Sequence, residues 1–306
     1  MRLEKILEVG GLKKSYGEVR AVKGIDFYVE RGSLFAFLGP NGAGKTTTIE
    51  IICTLIRPDA GTVRINGYAL AKDDTEIRKQ IGIVFQDSLL DRLLTVKENL
   101  MVRGSFYGYG GERLRDAVSR AAKAAEVEGF LNRPYGKLSG GQRRRADIAR
   151  ALVNTPKILF MDEPTTGLDP QTRKSVWDTI KKLQTETDMT VFLTTHYMEE
   201  AAKADYVFVI DDGEITAKGT PAELREKYST DHLVIRTERS DMLTAYLKEA
   251  GLPYTQEAGT FTVTLEKTLD AIPVLDACRD SIDAFEVISG SMDDAFIGIT
   301  GKEMRE

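Results

Sequence analysis

The chain has 306 residues, 42% hydrophobic and 29% charged, the make-up of a folded globular protein. At about 150 residues per domain, two domains are expected. A net charge of -5 argues against a chain built as a whole to attract nucleic acid, and no apolar run approaches the roughly 18 residues of a membrane-spanning helix.

The N-terminal MRLEKILEVG has no long apolar stretch, so no secretory leader is expected. ILEVGGLKKSYG and VKGIDFYVERG alternate apolar and polar residues and read as strands. SLFAFLG, residues 33–39, is a short buried-type strand; a glycine-rich turn and the helix TTTIEIICTL follow. GTVRINGYAL reads as strand, turn, strand, and EIRKQIGIVFQ as a short helix running into a strand that ends at Gln86. From about residue 87 to 150 the character is helical, with TVKENLMVRGSFYG and ERLRDAVSRAAKAAEV forming an insert in an α/β core. Strands return at KILFMDEP and TVFLTTH, with the helix TRKSVWDTIKKLQ between them. YVFVIDDGEITAKG is a strand pair around Asp211-Asp212-Gly213.

A boundary is expected near Thr220-Pro221, where the charge balance changes. From Thr220 onward there are 17 acidic and nine basic residues; before it there are 30 and 33. This tail reads β-α-β-β-α-β plus a last helix, MDDAFIGITG, a ferredoxin-like order. The predicted division is residues 1–219 and 220–306. Cys53 and Cys278 form neither a framework nor a CxxC pair, which fits a reducing compartment.

Gly39-Pro40-Asn41-Gly42-Ala43-Gly44-Lys45-Thr46 fits G-x-x-x-x-G-K-[ST] between a strand and a helix. Glycines let backbone N–H groups converge on an anion, and the helix start adds unpaired N–H groups and partial positive charge. Lys45 is placed to neutralise β/γ-phosphate charge, and Thr46 to ligate Mg²⁺. ILFMDE ends a buried-type strand in two carboxylates: Asp162 suits Mg²⁺, and Glu163 suits polarising an attacking water as general base. Gln86 and His196 end other strands, on the side where open α/β sheets bind ligands. Gln86 is a candidate to reach metal or water, and His196 to bond the γ-phosphate or orient the water. His232 reads as an ordinary polar residue. Ser139-Gly140-Gly141-Gln142 before a helix is a second possible anion site or a loop with Ser139 as N-cap. Arg143-Arg144-Arg145 reads as a solvated helix face.

LSGGQ, with the phosphate cradle before it and ILFMDEP after it, resembles the ATP-binding cassette (ABC) ATPases over about residues 4–219. The resemblance implies a P-loop NTPase fold with an antiparallel β subdomain and a helical insert. It also implies roles by motif: Tyr16 stacks on adenine, Gly39 to Thr47 form the Walker A loop, and Gln86 is the Q-loop residue. Ser139 to Gln142 form the signature loop, Asp162 and Glu163 are Walker B and its catalytic Glu, Asp169 is the D-loop residue, and His196 the switch histidine. No motif position departs from the family pattern. ATP and Mg²⁺ are implied, together with a homodimer in which one copy's signature loop closes over ATP held by the other's cradle. The ending MDDAFIGITG and the strings YGEVRAVKGIDF and LLTVKENL resemble drug-resistance exporter ATPases of the daunorubicin/doxorubicin and nodulation type. That implies a separate ABC-2-type membrane permease, a peripheral place on the cytoplasmic face of the cell membrane, and no nucleic-acid partner. The competing reading is a soluble ABC ATPase acting on a nucleic-acid or protein partner. The tail is expected to stabilise the dimer or gate the motor.

Overall fold

Long runs form β1 (Lys5–Tyr16) and β2 (Val19–Glu30); burial alternates strictly at Leu7 and Val9 and at Ile25, Phe27 and Val29, while Ile6 and Leu7 are buried in succession. They join β4 (Ala60–Ile65) and β5 (Tyr68–Ala69) in an antiparallel sheet of order β2-β1-β4-β5. The structure, a computed structural model, describes residues 4–301. The chain divides into two units, Met1–Lys218 and Gly219–Glu306.

The second sheet of the first unit has six strands in the order β10-β9-β3-β8-β7-β6. β3 (Leu34–Leu38), β6 (Ile81–Val84), β7 (Ile158–Asp162), β8 (Thr190–Thr195) and β9 (Tyr206–Asp211) run parallel. β3, β6, β7 and β8 are buried at every residue, which is why they read as unbroken apolar runs. β10 (Glu214–Gly219) follows β9 through Asp212 and Gly213, both at positive φ (47° and 77°), as a two-residue type I′ hairpin turn needs.

An aromatic cluster fills the space between the two sheets. Phe27 of β2 meets Phe35 and Phe37 of β3, Phe192 of β8 and Phe208 of β9, with centroids 5.5–6.1 Å away, and Phe35 stacks on Phe192 at 4.9 Å. α1 (Lys45–Ile52) leaves the end of β3, and α2 (Asp74–Gln80) leads into β6. α3 (Val96–Phe106) and α4 (Gly111–Ala124) pack on each other and on α5 (Gly140–Leu152). α5 also packs on β6, while α6 (Pro170–Thr187) and the short α7 (Met198–Ala201) pack on β8.

The second unit begins with α8 (Pro221–Tyr228). Then come β11 (Asp231–Arg236), α9 (Ser240–Glu249), β12 (Tyr254–Glu257), β13 (Thr260–Leu265), α10 (Ala271–Ala277), β14 (Ala284–Ile288) and α11 (Met292–Thr300). The sheet order β12-β13-β11-β14, antiparallel throughout, is that of a ferredoxin-like module. Its core gathers Leu233, Ile235, Leu243, Leu247, Phe261 and Val263. α8 packs against α11 so closely that a Cβ on Gly298 would lie 2.2 Å from the Tyr228 carbonyl oxygen.

Two sequence expectations shift. β6 ends at Val84, two residues before Gln86, because the Phe85 carbonyl accepts from Arg144. α8 was not among the expected elements. Its signal is the capping box Thr220–Glu223 with Pro221 in the first turn, placed where the charge balance suggested a boundary.

Removing an aromatic ring from the inter-sheet core should be costly: Phe192→Ala is expected to lose about 3–5 kcal/mol. Chemical denaturation followed by tryptophan fluorescence measures it, and a loss below about 1 kcal/mol would contradict this packing.

Candidate nucleotide site

Four parallel strands end side by side, and their ends deliver the site. β3 runs into the cradle, β6 towards Gln86, β7 into Asp162-Glu163, and β8 into His196. In the sheet β8 lies between β3 and β7, so His196 emerges between the cradle and the carboxylates.

The cradle's glycines are sterically required at two points. A Cβ on Gly39 would meet the Ile210 carbonyl oxygen at 2.2 Å. Gly44, at φ 100°, would meet that of Ala21 at 2.3 Å. The β9–β10 turn braces the loop: the Gly213 N–H donates to the Ala43 carbonyl at 3.1 Å. Gly44 caps α1 without a side-chain partner, leaving the helix's first N–H groups facing the loop.

Lys45 is 4% exposed. Its Nζ donates to the carbonyls of Gly39 (2.8 Å) and Pro40 (3.0 Å) and stands 3.3 Å from Glu163 Oε1. Burial pulls the ammonium below its ordinary pKa, and the negative charges of Glu163 and Asp162 pull it back up. Glu163 Oε1 is also 3.3 Å from His196 Nδ1. Burial pushes the Glu163 carboxyl up, but Lys45 and His196 outweigh it and hold the group below the usual carboxylate range. Glu163 is thus ionised at neutral pH, as a proton acceptor must be. Its backbone is left-handed, φ 43°, unusual for a residue with a Cβ.

A cleft of about 350 Å³ is lined by Ala21, Asn41, Gly42, Gly44, Lys45, Thr46, Thr47, Gln86 and Glu163. Gly39 and Pro40 hold Lys45 from behind, and Ala43 is buried. Asp162, 4% exposed, accepts from Thr194 Oγ1 at 2.6 Å through Oδ1. Thr46, Gln86 and Asp162 offer oxygen donors only, a hard set suited to Mg²⁺. Among the described residues no cluster of His, Cys, Asp and Glu forms a cage for a metal. Mg²⁺ is generally held by one or two side chains plus substrate phosphates and water.

The remaining candidates do not line this cleft. Ser139 caps α5 in a box with Gln142, and Asp169 caps α6 by accepting from the Thr172 N–H at 3.0 Å. Gly140 and Gly141 lie in the first turn of α5, where a Cβ on Gly141 would come within 2.5 Å of the Thr172 side chain. Tyr16, 49% exposed, ends β1 with Lys14 Nζ 5.7 Å from its ring centre.

One expectation is corrected. Arg144 is not on a solvated face; it is 7% exposed, and its guanidinium binds four carbonyls. The signal was present: Arg144 lies four residues before the buried Ile148, on the inward face of α5, while Arg143 and Arg145 are half-buried. Thr194 and Glu200 were missed as well. Thr194 Oγ1 also accepts from the Glu163 N–H at 3.0 Å. Glu200, 1% exposed, accepts from Thr165 Oγ1, from Thr195 Oγ1 at 2.6 Å and from Trp177 Nε1 at 3.0 Å. It thereby ties the turn after Glu163 to α6 and to the end of β8.

The ABC transporter family model matches residues 22–166. The daunorubicin/doxorubicin resistance ATP-binding protein DrrA of Streptomyces peucetius is 36% identical over 307 residues, covering 97% of this chain and 93% of its own. The chain belongs to the ABC transporter family. It is an ABC ATPase with an α/β P-loop cassette. The Nod factor export ATP-binding protein I of Ralstonia nicotianae is 37% identical, covering 98% of this chain and 95% of its own. Among solved structures, the dimeric post-hydrolysis state of the cassette MJ0796 bound to ADP and Pi has a TM-score of 0.63 at 34% identity. It covers 70% of this chain and 98% of that one. ABC cassettes form dimers and work with membrane permeases in exporter systems. No helix among the described residues of this ABC ATPase is long and apolar enough to cross a membrane.

Glu200→Ala strands three buried donors, at about 1–3 kcal/mol each. The exposed neighbour Glu199→Ala should stay within about 0.5 kcal/mol of wild type. Urea denaturation of both variants compares them, and equal losses would contradict the tie.

Proposed function

We propose that this chain is the motor subunit of an ABC exporter, hydrolysing ATP at the cleft lined by the 39–47 loop, Gln86 and Glu163, with Asp162 and His196 beside Glu163. The observation that carries the reading is the Glu163 carboxylate standing 3.3 Å from both Lys45 Nζ and His196 Nδ1. That spacing supports a pairing of an anion-binding cation with a proton acceptor.

Lys45 and the free N–H groups at the start of α1 bind the β- and γ-phosphates of ATP. Mg²⁺, held by Thr46, Gln86 and Asp162, would neutralise charge on the phosphate oxygens. Glu163 takes the proton of the attacking water as its oxygen bonds to the γ-phosphorus and the bond to ADP breaks. His196 orients the Glu163 carboxylate and the water, and Tyr16 stacks on adenine. Ser139, Gly140, Gly141, Gln142 and Asp169 do not line the cleft of their own copy, and we assign them to the cleft of a second copy. Closure of the pair aims their donors at the γ-phosphate and shuts out water. Residues 1–219 are assigned to this motor and 220–306 to an accessory module acting on the dimer. The coupled partner is a separate membrane permease, which places the chain on the cytoplasmic face as a peripheral subunit. The names of relatives such as DrrA and the Nod factor export proteins support an export direction.

Two substitutions separate binding from chemistry. Lys45→Ala should weaken ATP binding measured with a fluorescent analogue. Glu163→Gln should keep that binding but lower kcat on the order of 100-fold or more. Normal affinity in the first or normal turnover in the second would overturn the assignment.

A further inference from the structure

We propose that Arg144 is a positioning residue for hydrolysis, setting the main chain around Gln86 and Glu163 from the helix that begins at the signature loop. The proposal rests on Glu163 acting as the base.

Arg144 sits in the second turn of α5, five residues after the cap Ser139. Its Nε donates to the Pro164 carbonyl and its Nη1 to that of Phe85. Its Nη2 donates to the carbonyls of Glu163 (2.9 Å) and Asp162 (3.2 Å). One planar fork therefore holds three consecutive carbonyls at the end of β7 and the carbonyl immediately before Gln86. An ammonium is a point charge and does not reproduce that geometry.

The Glu163 main chain is consequently fixed at both ends, its N–H by Thr194 and its carbonyl by Arg144. That constraint matters because the residue is left-handed, a conformation that persists where its surroundings over-determine it. Gln86 is bracketed in the same way. On one side Phe85 is held by Arg144. On the other, Ser88 Oγ donates at 2.6 Å to Asp147, which lies one turn further along α5 and also accepts from the Tyr135 hydroxyl at 3.2 Å. One helix thus anchors both flanks of Gln86 and the backbone of the base. Arg144 does not line the cleft, so its effect is on chemistry rather than on nucleotide capture.

The test uses the full chain with Arg144→Gln and Arg144→Lys, measuring kcat per nucleotide-binding site, KM for ATP and affinity for a fluorescent ATP analogue. Misplacing a reacting group by about 1 Å costs on the order of 100-fold, so Arg144→Gln should lose kcat on that scale with KM and affinity within about twofold of wild type. Arg144→Lys, which keeps a charged donor in the same place, should recover part of that loss. Should Arg144→Gln not fold, Arg144→Lys alone reads the same split. Wild-type kcat per binding site in the folded variants would overturn the proposal, as would parallel losses of kcat and binding. Glu163→Gln measured alongside separates the two ideas. Full turnover in Glu163→Gln removes the base, whereas an inactive Glu163→Gln beside a fully active Arg144→Gln removes only the role of Arg144.

Discussion

Keeping the Lys45 ammonium charged and nearly dry is the constraint from which the site follows. A cation out of water needs oxygens around it, and the fold supplies them from two strands. β3 ends in a loop that turns the Gly39 and Pro40 carbonyls onto Nζ, and β7, two places along the sheet, ends in Glu163. The loop takes that path because Gly39 and Gly44 pass where a Cβ would strike the carbonyls of Ile210 and Ala21. The same placement answers the chemistry. A lysine already held by oxygens is oriented for phosphate oxygens, and the carboxylate beside it is kept ionised by the charges it neutralises.

The supporting shell consists of buried polar groups, each with its bonds made. Thr194 bridges Asp162 and the Glu163 N–H, Glu200 gathers three donors, and Arg144 takes four carbonyls. Such groups are expensive to bury and strongly destabilising to break. Their common target is the segment Asp162 to Thr165. The backbone that carries the candidate reacting groups is therefore tied by several buried side chains, which suits a site that must hold its geometry through many turnovers.

Most of this was legible in the sequence where the chemistry is local. Strand, glycine loop and helix at 33–52, the carboxylates after ILFM and the hairpin at Asp211-Asp212-Gly213 each carry their signal within a few residues. The bonds made across the fold were not legible. Arg144 stands in a run of three arginines, and only its phase relative to Ile148 separates it from a solvated residue. Thr194 reads as strand filler, and Glu200 as half of an acidic pair. The partners lie 18–59 residues from Arg144, 31–32 from Thr194 and 5–35 from Glu200, so no one short pattern links them. Ser139 and Asp169 are a different case: within one chain they are helix caps and nothing more.

On the proposed reading each cradle is closed by a second copy, and mixing two variants tests that pairing. Lys45→Ala damages only the cradle, and Gly140→Asp sets a carboxylate in the signature turn. Each variant alone should be inactive. Mixed in equal amounts, half the dimers would hold one intact cleft, and turnover should return to about a quarter of the wild-type rate per chain. A mixture as silent as its components, or full activity from Gly140→Asp alone, would show that the cleft is not shared.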